Sequence, residues 1–167
     1  MDSARAWLEW LETTDLSLFL QQSEWAFPTI ESTHVLAITL VIGTIAVLDL
    51  RLLGLASVKR PVSELAHLIL PYTWGAFAVA VTTGSLMFAS QPTGYFDNFD
   101  FRAKMLVLTA AGTNMLVFHF LTCRDFRTWD REAAVPLRGK IAGAVSLACW
   151  ITIVFIGRQI GFTMGAQ

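Results

Sequence analysis

The sequence predicts an all-α integral membrane protein, a bundle of four transmembrane helices with an interfacial amphipathic helix at its N-terminus. Of its 167 residues, 54% are hydrophobic and only 15% are charged, whereas soluble domains contain roughly 25% charged residues. Four apolar stretches are each long enough to cross a hydrocarbon core about 30 Å thick. We expect helices there because an open strand leaves its backbone polar groups unsatisfied in lipid.

Residues 3–22 alternate between apolar and polar side chains, and Trp7, Leu11 and Leu18 share one helical face. The pattern predicts one or two short helices in the membrane interface, with tryptophans at headgroup depth. A cap packed on the bundle explains the same pattern. A cleaved signal peptide is not expected, because the first residues lack a basic region and Glu9 and Glu12 interrupt the apolar residues.

The predicted spans cover about residues 28–53, 61–90, 101–122 and 137–162, within a single transmembrane domain over residues 1–167. A proline opens each of the first two spans, where its missing N–H costs nothing. Asp100 is the predicted N-cap of the third span.

The basic residues predict the orientation of the spans. Eight of the twelve lie in the loops after the first and third spans, namely Arg51, Lys59, Arg60, Arg124, Arg127, Arg131, Arg138 and Lys140. By the positive-inside rule these loops are cytoplasmic. We therefore expect a multi-pass protein of a bacterial inner membrane with both termini in the periplasm and the 124–138 segment along the inner surface.

Several function classes are excluded. The net charge of −1 gives no basic face for nucleic acid. The phosphate-binding, dinucleotide-binding and zinc motifs of soluble enzymes are absent, and Cys123 and Cys149 form neither a disulfide framework nor a metal motif. An electron-transfer component is therefore a better prediction than a stand-alone enzyme.

The three histidines, His34, His67 and His119, all fall within predicted spans. Ionisable residues there usually face the bundle interior. At about 1.5 Å per residue, His67 and His119 share a depth on the inner side, while His34 lies on the outer side. Two imidazoles at one level can take both axial positions of an iron. We therefore predict low-spin haem b between His67 and His119.

The surroundings of this pair also suit haem. Gly112 lies two turns before His119 on the same face and leaves room for a flat macrocycle, although close helix packing explains a membrane glycine equally well. Cations for the haem propionates lie near the inner rim: Arg51, Arg124, Arg138 and Lys140. Asp49 is expected to form an ion pair with Arg138 or Lys140.

A second site is predicted on the outer side. There His34 would bind a quinone or a further haem, and Arg158 would pair with Glu31 or hold an outer anion. The alternative function is a cofactor-free accessory subunit or small-solute channel, in which these three side chains line an outer vestibule. Besides the lipid bilayer, the expected partners are a redox protein or quinone and further subunits of a homo- or hetero-oligomer.

The pattern P-x-x-E-x-x-H opens both of the first two spans, at positions 28–34 and 61–67. It fits either an inverted repeat or a chance match. We do not expect a di-iron centre of the ferritin type, because the two motifs lie near opposite membrane faces.

The order Ser23-Glu-Trp25, Phe27-Pro28, Glu31, His34, then Asp49-Leu-Arg-Leu-Leu-Gly54 and Thr83-Gly84, resembles a family of small bacterial four-helix membrane proteins of unknown function. The resemblance covers nearly the whole chain and implies a bacterial inner-membrane location. In size and helix count the chain is also similar to b-type cytochromes. It lacks the clustered histidines of the bacterial cytochrome b561 type, which argues against two haems.

Overall fold

The computed structural model describes residues 2–122 and 135–165, and these contain seven α-helices and no strand. The helices are α1 (Asp2–Glu12), α2 (Asp15–Gln22), α3 (Ala26–Leu53), α4 (Val62–Ser90), α5 (Pro92–Asp97), α6 (Phe99–Val117) and α7 (Leu137–Gly165). A π-helical turn, Phe118–Thr122, extends α6. Four helices are long and apolar enough to cross a membrane. The predicted all-α four-helix architecture is confirmed.

Local signals set the ends of these helices. Gly54 ends α3 with φ +77°, a left-handed conformation that glycine adopts without strain. Its N–H donates to the carbonyl of Arg51, and the next N–H donates to that of Leu50. At the start of α6 the N-cap is Asn98, whose Oδ1 accepts from the N–H of Phe101 at 3.0 Å. The prediction of Asp100 as the N-cap was wrong, because Asp100 lies in the first turn of α6.

The α3 helix packs against two neighbours, α4 and α7, and α6 packs against α7. Polar side chains join these pairs. The hydroxyl of Thr73 on α4 donates to that of Thr44 on α3 at 2.8 Å, and the amide of Asn114 on α6 donates to the carbonyl of Ala142 on α7 at 3.0 Å. Interhelical hydrogen bonds of this kind stabilise membrane bundles by roughly 1 kcal/mol each.

Glycine permits the close approach of α3 and α7. A Cβ atom at Gly143 would lie 3.0 Å from the carbonyl oxygen of Asp49 and 3.0 Å from the Cβ of Leu52. Small residues at such contacts let helix backbones approach closely in membranes. We call this contact of Gly143 with Asp49 and Leu52 the α3–α7 seam.

The N-terminal helices pack on one end of the bundle, and we call the end formed by α1, α2 and α5 the capped end. The guanidinium of Arg5 donates to Asp97 at 3.0 Å, and the carboxylate of Glu12 accepts from the backbone N–H and the hydroxyl of Thr93. The fully buried Ser17 donates to the carbonyl of Ser90 at 3.2 Å. The segment is therefore a packed cap, while its tryptophans at positions 7, 10 and 25 stay exposed.

The opposite end of the bundle, which we call the basic end, carries the α3–α4 loop and the start of α7. Its described basic residues are Arg51, Lys59, Arg60, Arg138 and Lys140. Only Arg51 is buried, at 1% exposure, and its Nε donates to the carbonyl of Arg60 at 2.8 Å. This hydrogen bond joins the last turn of α3 to the loop that follows it.

Replacing Gly143 with valine should destabilise the bundle by about 1–3 kcal/mol, the usual cost of overpacking. The added atoms would press on the backbone of α3. Gly161→Val is the matched control on the same helix, since a Cβ there meets no atom within 4 Å. Thermal unfolding of both variants in detergent measures the difference. Equal melting temperatures would contradict the close contact in the α3–α7 seam.

Candidate functional site

The preferred haem ligands of the sequence prediction, His67 and His119, are both exposed. His67 lies in the second turn of α4. His119 lies in the π-helical turn after α6, with its ring edge-on to Phe120. The helices α4 and α6 are not among the closely packed pairs, and in the described part of the chain no hydrogen bond joins the two imidazoles. Haem ligation by this pair therefore stays a prediction that the fold does not favour.

The other residues predicted around that haem also lie apart. A Cβ at Gly112 would meet no atom within 4 Å, so the space beside this glycine is open. Arg51 is buried against the α3–α4 loop, while Arg138 and Lys140 are exposed. Arg124 lies outside the described residues. A cluster of cations around one pair of propionates is not formed by the described side chains.

His34 is the histidine that the bundle holds in place. Its half-buried ring lies between α3 and α4, and Nδ1 is 2.9 Å from the hydroxyl oxygen of Thr83. That hydroxyl already donates to the carbonyl of Val79 at 2.7 Å, so its oxygen accepts from the imidazole. In a neutral ring the proton is therefore on Nδ1 and the lone pair on Nε2, and a hydrogen bond to the backbone of Ala80 also acts on the ring.

Gly84 makes the position of this ring possible. A Cβ at Gly84 would lie only 3.0 Å from Cε1 of His34, closer than side-chain packing normally allows. The pair Thr83-Gly84 thus supplies both the hydrogen-bond acceptor and the free space for the imidazole. These two residues belong to the motif noted in the sequence, and the structure gives their physical role.

Lys104 on α6 is the residue that the sequence analysis missed. Its side chain is half-buried, its charge acts on the ring of His34, and its Nζ lies 3.6 Å from where a Cβ of Gly157 would be. Among the described residues no carboxylate forms a salt bridge with it. The sequence signal for Lys104 is its spacing of seven residues from Ala111, the buried residue of α6. Residues seven apart lie on the same face of a helix.

The two charged residues expected beside His34 lie at the surface instead. Arg158 is exposed, with its guanidinium 4.5 Å from the ring centre of Phe162. The expected pair of Arg158 with Glu31 is not formed, since the ion pairs in the described part of the chain involve Arg5 alone. Glu31 is exposed and faces the capped end, where burial raises the pKa of Tyr95 and the negative charge of Glu31 raises it further.

The candidate site is therefore the group His34, Thr83, Gly84, Lys104 and Gly157, which we call the His34 site. It lies in the half of the bundle nearer the capped end. Within the described ranges no three His, Cys, Asp or Glu side chains come together to hold a metal ion. The arrangement instead offers one oriented imidazole nitrogen and one ammonium without an acidic partner. Such a pair suits a cofactor whose metal the imidazole nitrogen can bind. It also suits a ligand with an oxygen that accepts a hydrogen bond from the ammonium.

Comparison with known proteins gives one match, to DUF6644, described as a family of unknown function, over residues 7–163. This chain belongs to DUF6644. No curated protein and no solved structure matches it. The expected membership of a four-helix membrane family of unknown function is thereby confirmed.

In this DUF6644 protein, Thr83→Val should cost about 1 kcal/mol of stability, because it removes the hydroxyl that accepts from the imidazole of His34. Thr83→Ser keeps the hydroxyl and should recover most of the loss. Thr82→Val is the matched control, since the exposed Thr82 hydroxyl bonds only to Ala78 in its own helix. Melting temperatures test this. A similar loss in both valine variants would speak against the His34–Thr83 hydrogen bond.

Proposed function

We propose that this DUF6644 protein is a haem b-binding electron-transfer subunit of a bacterial inner membrane, with His34 as an axial ligand. The observation that carries the proposal is the hydrogen bond from Nδ1 of His34 to Thr83. Metal-binding histidines almost always donate their second ring N–H to a neighbouring oxygen, which fixes the tautomer and the ring orientation. With the proton on Nδ1, Nε2 carries the lone pair that would bind iron.

Packing favours His34 over the other two histidines as the ligand. A histidine that binds the iron can fix the position and potential of a cofactor only if neighbouring residues hold its side chain in place. The rings of His67 and His119 are exposed, whereas that of His34 is held by Thr83 and confined by Gly84.

The surroundings of His34 fit a flat, anionic group. Gly84 makes room for the imidazole and Gly157 for the side chain of Lys104, which would supply a cation for a propionate. The helices α4 and α6 meet near the capped end, where the rings of Phe88 and Phe101 stack at 5.5 Å. Because their closest packing partners are α3 and α7, the side of the bundle between α4 and α6 is the natural entry for a macrocycle. Haem supplies the one-electron chemistry, and the chain sets its position and environment.

A second candidate function is the binding of a quinone or another small carbonyl-bearing ligand without haem. The ammonium of Lys104, which has no acidic partner among the described residues, favours it as a hydrogen-bond donor to such an oxygen. A separate, shallow pocket of about 220 Å³ lies at the capped end and does not include Lys104. Its lining residues are Arg5, Thr93, Gly94, Asp97, Asn98 and Met164.

The proposed orientation places the capped end in the periplasm and the basic end in the cytoplasm, because the basic loops follow the positive-inside rule. Reporter fusions test it. Fusions after Arg60 and after Leu137 should be active only with a cytoplasmic reporter, and a fusion after Thr93 only with a periplasmic one. A periplasmic signal after Arg60 would invert the orientation.

The cofactor is tested with single histidine variants purified from haem-replete cells. The wild type should show the reduced α and Soret bands of haem b, and His34→Ala should lose them, because the iron loses its protein ligand. His67→Ala and His119→Ala are the matched controls and should keep the spectrum. Size-exclusion profiles establish that each variant is folded.

Two outcomes would contradict this proposal. A colourless, monodisperse wild type would remove haem and favour the quinone-binding candidate. Loss of the bands in both His67→Ala and His119→Ala, with His34→Ala unaffected, would indicate that His67 and His119 bind the haem, as predicted from their shared depth.

A further inference from the structure

Asp49 is a carboxyl group buried inside the α3–α7 seam. The residue is only 4% exposed, and its carbonyl oxygen lies against Gly143 of α7. A side-chain hydrogen bond joins its carboxyl group to Ser146. Its Oδ2 is buried and has no hydrogen-bond partner in the described part of the chain. The carboxyl group is thus buried with one of its oxygens unpartnered.

The expected ion pair of Asp49 with Arg138 or Lys140 is not formed, because both cations are exposed and no salt bridge joins them to α3. Arg51, two residues along, donates instead to the carbonyl of Arg60, and its own buried Nη1 has no partner. The other titratable groups near this end are Glu64 and His67 on α4, Lys59 and Arg60 in the α3–α4 loop and His119 in the π-helical turn, all exposed, and the half-buried thiol of Cys149 on α7. None of these described groups neutralises Asp49.

An isolated carboxylate at such a position is unfavourable. Transfer of an unpaired ion into a low-dielectric interior costs so much that the group takes up a proton instead. Ionisable residues within membrane spans are accordingly paired, or they serve the movement of ions and protons. Asp49 has no cation, so pairing does not account for it.

We propose that Asp49 is a proton-binding site. Its carboxylate takes a proton from water at the basic end and becomes a neutral carboxylic acid within the α3–α7 seam. The hydrogen bond with Ser146 holds one oxygen, and the proton resides on the other, which otherwise has no partner. Deprotonation returns the proton to the same side of the membrane. This inference goes beyond haem binding and stands independently of it.

Infrared spectroscopy of the full-length protein in lipid vesicles tests the proposal. Near neutral pH the wild type should show the carbonyl stretch of a protonated carboxylic acid, which shifts in heavy water and falls as the pH is raised. Asp49→Asn should remove this band and keep the fold, because the amide matches the size and neutrality of the acid. Glu64→Gln is the matched control and should keep the band, since the exposed Glu64 is solvated.

A third variant keeps the test decisive if Asp49→Asn folds poorly. Ser146→Ala should shift the frequency of the band without removing it, because it deletes the hydrogen bond to the carboxyl group. A wild type without a protonated carboxyl band at any pH at which it is folded would overturn the proposal. So would a band that survives in folded Asp49→Asn.

Discussion

The close packing of α3 between α4 and α7 is the constraint on which the rest of the structure depends. A helix with neighbours on two sides has to place its polar groups where a neighbour leaves room for them. The α3 helix does so with His34, whose ring lies against Gly84 of α4, and it carries the buried Asp49 where its backbone lies against Gly143 of α7. In lipid there is no water to solvate these groups, so each needs a nearby hydroxyl, and Thr83 and Ser146 provide it.

Sequence reasoning predicted the helices well because length and composition alone decide which segments cross a membrane. Each predicted span coincides with a helix of the structure to within a few residues, as at 28–53 against Ala26–Leu53. The N-cap of α6 was misplaced by two residues because Asn98 and Asp100 are both good capping residues. Only the hydrogen bond to Phe101 distinguishes them.

The candidate site was harder to predict, because depth along a span does not specify the face of the helix. His67 and His119 share a depth, but their side chains point away from the bundle. Helices that are apolar on all sides carry little information about which side is buried. Lys104 was overlooked for the related reason that its position on the face of Ala111, from which its charge acts on His34, is not evident from depth alone.

The α3 helix thus carries two polar residues, His34 and Asp49, and at each position there is an ionisable group without an oppositely charged partner in the described part of the chain. Fifteen residues at about 1.5 Å each put His34 and Asp49 roughly 22 Å apart along the axis. At the His34 site the excess group is the cation Lys104, and in the α3–α7 seam it is the acid Asp49, each without an oppositely charged partner among the described residues. A positive charge in a low-dielectric site stabilises an added electron, so Lys104 would favour the reduced form of the proposed haem at His34. A buried carboxyl group without a cation can become neutral only by taking up a proton. The two ends of α3 therefore differ in chemistry, because the unpaired cation suits an anionic ligand and the unpaired acid suits a proton.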